Sequence, residues 1–396
     1  MSNRKGVLSL KEFEWFLCAA LLHDAGKFYQ RAHNEKARHW DVLAAFVEAH
    51  RNSFYDADLV KTLVSHHHES PVYTDVSDRP ESIADAHTRM LAYLLSRADN
   101  LSSSERSDLD RTSGYRSRSA LDSVFAQVDI GRPMATPGDG SAMKYRLGTI
   151  LQGSAFPELL GAEYEHTEAE YEQHVDRFLS DFRTLFSEPY PRMADTLLHL
   201  LQKYLWCIPS DTTRERRDIS LADHSRVTCA LAACFYRYYE QTGWVEDAVC
   251  NDALSKASLV CGDLSGIQDY IYGTVSVGHG GVARRLRGRS FRITLLTEIA
   301  AIRILHALGL PLACKIISAG GQFYLLVPNT EHAKSALEAT VSSISAWLLD
   351  NYLGELSLSM ACQDLASDQI LQGSSTKCWR PYTLNWPKRS CASLTR

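Results

Sequence analysis

The stretch Leu-Leu-His-Asp-Ala-Gly-Lys at positions 21–27 places an imidazole beside a carboxylate at the end of an apolar helix. Residues at the spacing of one buried helical stripe precede it: Phe13, Phe16, Leu17, Ala20 and Leu21. The helix therefore delivers His23 and Asp24 together, as one neutral and one anionic metal ligand. Because a lone His-Asp pair also fits an ordinary capped helix end, a metal site requires further ligands elsewhere in the chain.

Such partners follow within the first hundred residues. A later helix ends in three consecutive histidines, of which at most two can face one metal, since successive side chains point in different directions. We take His66 and His67 as ligands and leave out His68 first. Asp99 lies on a buried apolar helix, where a carboxylate is costly unless it is paired or binds a metal. The sequence thus predicts one or two metal ions bound by His23, Asp24, His66, His67 and Asp99.

This ligand set is typical of an HD-type phosphohydrolase, in which a cation activates water and neutralises charge on a phosphate. We assign His23 and Asp24 to catalysis together with Lys27, which shares a helical face with His23. Lys27 either contacts the phosphate or only complements the end of the helix. The imidazole ligands favour Mn²⁺, Ni²⁺ or Co²⁺ as the metal, with the pKa of the bound water lowered toward roughly 7.

Composition sets the broad class of the protein. With 396 residues the chain is too long for one ordinary core, and 45% hydrophobic and 22% charged residues are typical of a soluble globular protein. A net charge of -5 gives no general attraction to nucleic acid. Ten cysteines without a C-x-x-C pair, no signal-like N-terminus and no apolar run long enough for a bilayer predict a reduced, cytoplasmic protein without a membrane partner.

Four regions are predicted: an all-helical HD domain over 1–106, a linker and helical region over 107–257, a small α+β domain over 258–365 and an irregular tail over 366–396. In the second region a short strand is expected at 124–130. Asp223 and His224 form a second adjacent pair of an acid and a histidine, in the reverse order. We interpret them as the first turn of a helix that Ser220 caps, because an acid is favoured there.

The third region reads strand, helix, strand, strand, helix, strand, which is the ferredoxin-like βαββαβ order of catalytic palm domains. Candidate nucleotide-binding residues lie after the first strand and in the hairpin: Asp263, Ser265, Gly266, Gly320 and Gly321. Gln322 stands where a second catalytic acid is wanted, and an amide cannot replace a carboxylate against a divalent cation. The palm is therefore expected to be a non-catalytic half that still binds a nucleotide through these residues.

An arginine-rich turn begins the long helix of this palm. Arg285, Arg289 and Arg292 share one helical face, which predicts a contact with phosphate or RNA. On charge alone, a merely solvated face fits the same pattern.

Taken together, the chain resembles the large subunit of type III CRISPR interference complexes, in its Csm-type (subtype A) form. The segments that carry the resemblance are 21–32, 96–106, 206–210, 218–224 and 262–271. The resemblance implies an HD nuclease that cuts single-stranded DNA when a guide RNA pairs with a target transcript, using His23, Asp24, His66 or His67, and Asp99. It also implies a palm that, paired with a second palm, binds ATP with Mg²⁺ and makes cyclic oligoadenylates from it. It further implies assembly with the other subunits of the complex, which contact guide and target RNA.

The sequence departs from that family in its C-terminal part. It lacks a second palm with a Gly-Gly-Asp-Asp hairpin, a cysteine-rich insert and a C-terminal helical domain, so we expect a C-terminally truncated member. From about residue 372 the tail has neither helical nor strand period, which we attribute to a frameshift or a split gene. Two alternatives stay open: a nucleotide phosphohydrolase of the HD type, and a non-catalytic scaffold subunit of the guide-RNA complex.

Overall fold

A computed structural model of the protein consists of two compact units, Met1–Asn251 and Asp252–Arg396. The structure describes residues 2–33, 36–72, 74–104, 117–127, 141–150, 155–161, 163–213, 217–273, 281–366 and 382–383. Within that part of the chain, no helix combines the length and the apolar character needed to traverse a bilayer. The predicted α+β class is confirmed, with a helical N-terminal unit and an antiparallel sheet in the C-terminal one.

The first unit is mainly helical. Its N-terminal helices are α1 (Ser2–Leu22), α2 (Gly26–His33), α3 (His39–Ala49), α4 (Ala57–Ser65) and α5 (Ala86–Ser102). Four more follow: α6 (Glu168–Leu185), α7 (Met193–Leu205), α8 (Leu221–Thr242) and α9 (Glu246–Val249). A small antiparallel sheet lies between the two groups, with strands β1 (Leu121–Asp122), β2 (Ser141–Tyr145) and β3 (Glu158–Gly161) in that order.

Helix α8 lies at the centre of this unit. Its residues are buried on almost every side, from Leu221 to Tyr239, and it packs against α1, α5 and α7. A helix that is buried on nearly all of its faces is expected only inside a hydrophobic core. The helices predicted to form a region of their own after residue 106 therefore share one core with the N-terminal helices. The strand predicted at 124–130 is wrong for 124–127, which form a 3₁₀ turn, while 128–130 lie outside the described residues.

The second unit contains the elements β4 (Ala257–Ser265), α10 (Ile267–Tyr272), α11 (Val282–Ala307), β5 (Lys315–Ala319), β6 (Gln322–Pro328), α12 (Glu331–Tyr352), β7 (Ser357–Leu365) and β8 (Tyr382–Thr383). The sheet is antiparallel in the order β5-β6-β4-β7-β8, which confirms the ferredoxin-like arrangement. Gly320 and Gly321 have φ of +64° and +94° and form the tight turn between β5 and β6, where only glycine is free of strain. Strand β8 adds an edge from the tail, for which the sequence predicted no strand.

Candidate metal centre

The His-Asp pair lies in the tight turn between α1 and α2, so its position depends on how closely the chain can fold there. At Gly26 a Cβ atom would lie 1.9 Å from the carbonyl oxygen of His39, far inside van der Waals contact. Only glycine therefore allows the turn to approach the start of α3. As a result, Oδ1 of Asp24 lies 3.1 Å from Nε2 of His39.

Four residues from three distant parts of the unit meet beside this turn. We call them the first cluster: His23, Asp24, Asp99 and His224. All four are buried, and their candidate ligand atoms lie within 4.8 Å of one another. The Nε2 atom of His224 is 3.0 Å from Oδ1 of Asp99 and 3.3 Å from Oδ2 of Asp24. Nε2 of His23 lies 3.5 Å from the same oxygen of Asp99.

Three more imidazoles form a second cluster next to the first: His39, His67 and His68. Nε2 of His68 lies 3.2 Å from Nε2 of His39. The two clusters meet at Asp24, whose Oδ2 faces His224 and whose Oδ1 faces His39. One carboxylate is therefore placed to contribute an oxygen to each of two cations, as in two-metal hydrolytic sites.

Among the residues that the structure describes, two buried polar atoms in these clusters make no hydrogen bond of regular geometry: Nε2 of His67, and Oδ1 of Asp24, whose neighbour is Nε2 of His39 at 3.1 Å. His67 has no exposed surface, so its unpaired nitrogen would cost free energy in a site that bound nothing. Both atoms face other candidate ligands. A divalent cation fits this donor set of imidazole nitrogens and carboxylate oxygens, because it would satisfy both atoms at once.

The far sides of the imidazoles are also arranged for metal binding. Nδ1 of His23 lies 2.8 Å from the carbonyl oxygen of Ala20, and Nδ1 of His67 lies 2.8 Å from that of Val64. Since a carbonyl oxygen only accepts, Nδ1 carries the proton in each ring and the Nε2 lone pair faces the cluster. This is the tautomer that a metal ligand requires.

Charge in the first cluster favours a cation as well. Burial opposes ionisation of Asp24, but Lys27, His23, His224 and His39 together lower the pKa of Asp24 well below its usual value. Burial likewise opposes ionisation of Asp99, yet bonds from His224 and His23 lower its pKa. Burial would lower the pKa of His224, but the two carboxylates outweigh it and raise that pKa. The acids thus stay charged and attract whatever positive group is available, a proton or a metal.

The second cluster is made of imidazoles that stay neutral. Burial is the main reason that the pKa of His67 falls well below its usual value, and the pKa of His39 is lowered for the same reason. Burial also lowers the pKa of His68 to about 4. Neutral imidazoles have free lone pairs, so these three residues are competent metal ligands at neutral pH.

The structure brings together His23, Asp24, Asp99 and His67 as the sequence predicts, but it changes the rest of the set. His66 belongs to neither cluster, because its ring turns back onto the carbonyl oxygen of Thr62 at the end of α4. His68, which the sequence analysis left out first, lies in the second cluster instead.

Two members of the clusters, His39 and His224, were missed by the sequence analysis. The Ser220 cap is present, with its side chain accepting from the backbone of Asp223. The same helix start nevertheless directs His224 inward while Asp223 stays exposed. The signal for His224 was the second Asp-His pair itself. No sequence pattern around His39 indicated a ligand, because His39 reaches the site only through the close packing of the turn at Gly26 against the start of α3.

Lys27 reaches the first cluster rather than open solvent. Its Nζ donates to Oδ2 of Asp24 over 2.6 Å and lies 3.4 Å from the carbonyl oxygen of Ser210. The side chain is about one-quarter exposed, so the ammonium lies between the buried acid and the surface. That position suits contact with an anionic group that approaches the clusters from outside.

In the second unit, the predicted nucleotide-binding residues lie around the end of β4 and the β5–β6 turn. Asp263 is paired across the sheet with Gln322, and Oγ of Ser265 lies 3.4 Å from the carboxylate of Asp263. Among the residues that the structure describes, no group of three or more His, Cys, Asp or Glu gathers around Asp263. Gly266 has φ of +89° and packs against the carbonyl oxygen of Glu355, so its role in the strand-to-helix turn is partly structural.

The three arginines of α11 that were predicted to contact phosphate differ in the contacts they make within the protein. Arg289 donates to the carbonyl oxygen of Tyr270 over 2.7 Å and so completes the end of α10. The guanidinium of Arg292 lies over the ring of Tyr352, 5.3 Å from its centroid. Arg285 is exposed. The predicted phosphate-binding face therefore includes one arginine that already has a structural role.

Comparison with known proteins finds one family match in each unit. Residues 8–104 match the HD domain family, and residues 256–390 match the family described as Csm1 subunit domain B. The second match includes most of the segment 366–396 that the sequence analysis treats as a separate tail. The frameshift proposed for that segment stays a prediction.

Curated relatives match the chain over different lengths. It is 28% identical over 365 residues to the CRISPR system single-strand-specific deoxyribonuclease Cas10/Csm1 (subtype III-A) of Streptococcus thermophilus, covering 89% of this chain and 45% of the relative. The protein of the same name from Mycobacterium tuberculosis is 36% identical over 188 residues, covering 45% of this chain and 22% of the relative. The chain thus spans less than half the length of these relatives.

Solved structures show the same fold. The crystal structure of Csm1 in T. onnurineus has a TM-score of 0.67 at 24% identity, covering 90% of this chain and 45% of that one. A Csm1-Csm4 subcomplex of the type III-A CRISPR-Csm interference complex has a TM-score of 0.67 at 26% identity, with the same coverage. Another similar structure is a Csm1-Csm4 cassette in complex with one ATP.

Proposed function

Because the chain belongs to the Csm1 family of large subunits from subtype III-A CRISPR systems, we propose that its first unit is a metal-dependent nuclease that hydrolyses single-stranded DNA. The observation that carries the proposal is the pair of buried clusters that share Asp24. Two carboxylates, five imidazoles and one ammonium in contact form a site for divalent cations with an anionic substrate beside them.

Each residue would have a defined part in the reaction. When bound, divalent cations would supply an activated water and neutralise charge on the phosphate. Asp24 would hold both cations through its two oxygens, while Asp99, His23 and His224 would complete the first site. Three imidazoles would hold the second. The ammonium of Lys27 would orient a nonbridging phosphate oxygen and compensate the charge that develops on it.

A divalent metal is implied by the HD match and by the clusters. We propose Mn²⁺, Ni²⁺ or Co²⁺ in particular, because a site with five imidazoles is softer than the oxygen-rich sites that Mg²⁺ prefers. We place the activity in the cytoplasm, where buried free thiols such as Cys18, Cys207 and Cys234 stay reduced.

The decisive experiment compares Asp24→Asn with Asp223→Asn in Mn²⁺-dependent cleavage of a single-stranded oligonucleotide. Asp24→Asn keeps the shape of the side chain but removes the charge shared by both clusters, so cleavage should fall by at least about a hundredfold. Asp223→Asn makes the same change beside His224 on an exposed side chain and should leave the rate within about twofold. Normal cleavage by Asp24→Asn would place the chemistry elsewhere.

Two controls separate the alternatives. Free nucleotides are tested beside the oligonucleotide, and preferential hydrolysis of the nucleotides would favour a mononucleotide phosphohydrolase. If the wild-type chain binds none of the three metals in a titration, the non-catalytic scaffold is favoured.

For the second unit we propose ATP binding with Mg²⁺ through Asp263, Ser265, Gly266 and the hairpin glycines Gly320 and Gly321. Cyclic oligoadenylate synthesis would require a second palm that supplies the missing acids. The unit would act within a complex of other type III subunits that contact guide and target RNA, with Arg285, Arg289 and Arg292 as candidate phosphate contacts. Equilibrium binding of labelled ATP tests this proposal, and oligoadenylate product from the isolated chain would contradict it.

A further inference from the structure

The hydroxyl of Ser102 lies behind the first cluster, on the side of His224 that faces away from the other ligands. Ser102 is the last residue of α5, three positions after Asp99. Its Oγ lies 2.9 Å from Nδ1 of His224, 2.7 Å from Oγ1 of Thr228 and 3.0 Å from the carbonyl oxygen of Asp99. One small side chain thus joins the helix that carries Asp99 to the helix that carries His224.

Because the hydroxyl of Ser102 has one proton, the donor in each of these three hydrogen bonds can be assigned. The carbonyl oxygen of Asp99 only accepts, so the single proton of Ser102 goes there. The two lone pairs of Oγ then accept from Thr228 and from Nδ1–H of His224, which uses the full hydrogen-bonding capacity of the hydroxyl. With Nδ1–H donated to Ser102, Nε2 is the nitrogen of His224 that faces Asp24 and Asp99, and it is the one that would bind a metal in place of a proton.

His224 differs from His23 and His67 in this respect. His23 and His67 place Nδ1 on backbone carbonyls, which no substitution of a side chain removes. His224 depends on a side-chain hydroxyl instead. In the absence of that hydroxyl, the other tautomer is favoured, since Nε2–H can donate to Oδ1 of Asp99 at 3.0 Å and so blocks the nitrogen that a metal needs.

We propose that Ser102 is a positioning residue that holds His224 in the metal-binding tautomer, and that Thr228 orients Ser102 for this task. The inference rests on the proposed metal centre and deepens it. Partners that hold the far nitrogen of a histidine ligand typically contribute about ten- to a hundredfold to metal affinity.

The test compares Ser102→Ala with Ser104→Ala. Ser104 lies near the same helix end, and its Oγ bonds to the carbonyl oxygen of Leu101 over 2.8 Å without contacting any candidate ligand. Mn²⁺ affinity is measured on the full chain from the signal of free Mn²⁺ in electron paramagnetic resonance. Ser102→Ala should weaken binding of at least one Mn²⁺ by about ten- to a hundredfold, whereas Ser104→Ala should stay within about twofold of wild type.

Two further measurements distinguish positioning from a purely structural role. Cleavage by Ser102→Ala should approach the wild-type rate at saturating Mn²⁺, because the ligands and Lys27 are intact, while the Mn²⁺ concentration for half-activation rises. Ser102→Thr keeps the hydroxyl and should restore Mn²⁺ affinity. If Ser102→Ala does not fold, Thr228→Val removes the neighbouring hydroxyl at nearly constant volume and should shift half-activation in the same direction.

The outcomes that overturn the inference are specific. Wild-type Mn²⁺ affinity in Ser102→Ala, or equal loss in Ser102→Ala and Ser102→Thr, would reject the positioning role and leave the proposed nuclease intact. The same holds if Thr228→Val, used in place of an unfolded Ser102→Ala, leaves half-activation unchanged. Failure of the wild-type chain to bind any of Mn²⁺, Ni²⁺ and Co²⁺ would reject the nuclease proposal and this inference together.

Discussion

The two units of this chain place their acids in opposite ways. In the first unit, Asp24 and Asp99 are buried among imidazoles and an ammonium, so each negative charge has partners on several sides. In the second unit, Asp263 lies at the end of a strand opposite the neutral Gln322. The proposed metal centre thus differs from the palm in the number of donors around each carboxylate, since charged and neutral donors converge on Asp24 and Asp99 in the first unit.

The largest effect is expected from removing one of the donors that converge in the clusters, and a neighbouring histidine outside the clusters serves as the control. His67→Gln removes an inward-facing donor and should lower Mn²⁺-dependent cleavage by at least about a hundredfold. His66→Gln alters a ring that bonds to its own helix and should stay within about threefold of wild type. Rates on a single-stranded oligonucleotide provide the measurement. Equal losses in the two variants would show that the clusters are assigned wrongly.

A second prediction sharpens the comparison by adding a carboxylate to the palm, so that it resembles the proposed metal centre of the first unit more closely. Gln322→Asp places a carboxylate directly across the strand pair from Asp263. Two acids bind a divalent cation better than one, so affinity for ATP with Mg²⁺ should rise by about tenfold. Calorimetric titration measures it, with Gln322→Asn as the uncharged control. An equal gain in Gln322→Asn would assign the effect to side-chain length instead of charge.

Gly26→Ala tests the close contact between the turn after α1 and the start of α3, which brings His39 to Asp24. The added Cβ would overlap the carbonyl oxygen of His39, so the turn must shift, and stability should fall by about 1–3 kcal/mol. Mn²⁺ binding should weaken too, since His39 moves away from Asp24. Gly148→Ala is the matched control, because a Cβ there has no heavy atom within 4 Å. Thermal unfolding and Mn²⁺ titration of both variants give the answer.

The smallest effect concerns a histidine outside the clusters. Nε2 of His87 lies 2.9 Å from Oε1 of Glu12, and this hydrogen bond raises the pKa of His87. A raised folded-state pKa stabilises the protein below the ordinary histidine pKa, and that stabilisation is lost as pH rises through the raised value. Wild type should therefore exceed His87→Gln in unfolding free energy by up to about 1 kcal/mol at pH 5.5. The difference in unfolding free energy between wild type and His87→Gln should be smaller at pH 8. Denaturant unfolding at both pH values measures this difference.

Sequence patterns predicted the elements that depend on neighbours along the chain. The stripe that ends at Leu21 forms α1, Ser220 caps α8, and the order of strands and helices after residue 257 gives the ferredoxin-like sheet. The choice among consecutive histidines could not be made in the same way. At the end of α4 the direction of each ring depends on small differences in backbone angle, which periodicity does not describe.

Sequence alone determined that a His-Asp pair stands at the end of a buried helix, that Asp99 lies on an apolar one, and that Gln322 stands in the palm hairpin where a second acid is wanted. These follow from residue type and short-range spacing. Only the tertiary structure decided that His39 and His224 join the site, that Asp24 faces both clusters, and that Ser102 lies behind His224. Those contacts join residues up to 201 positions apart. They depend on how whole helices pack, and local pattern carries little information about that packing.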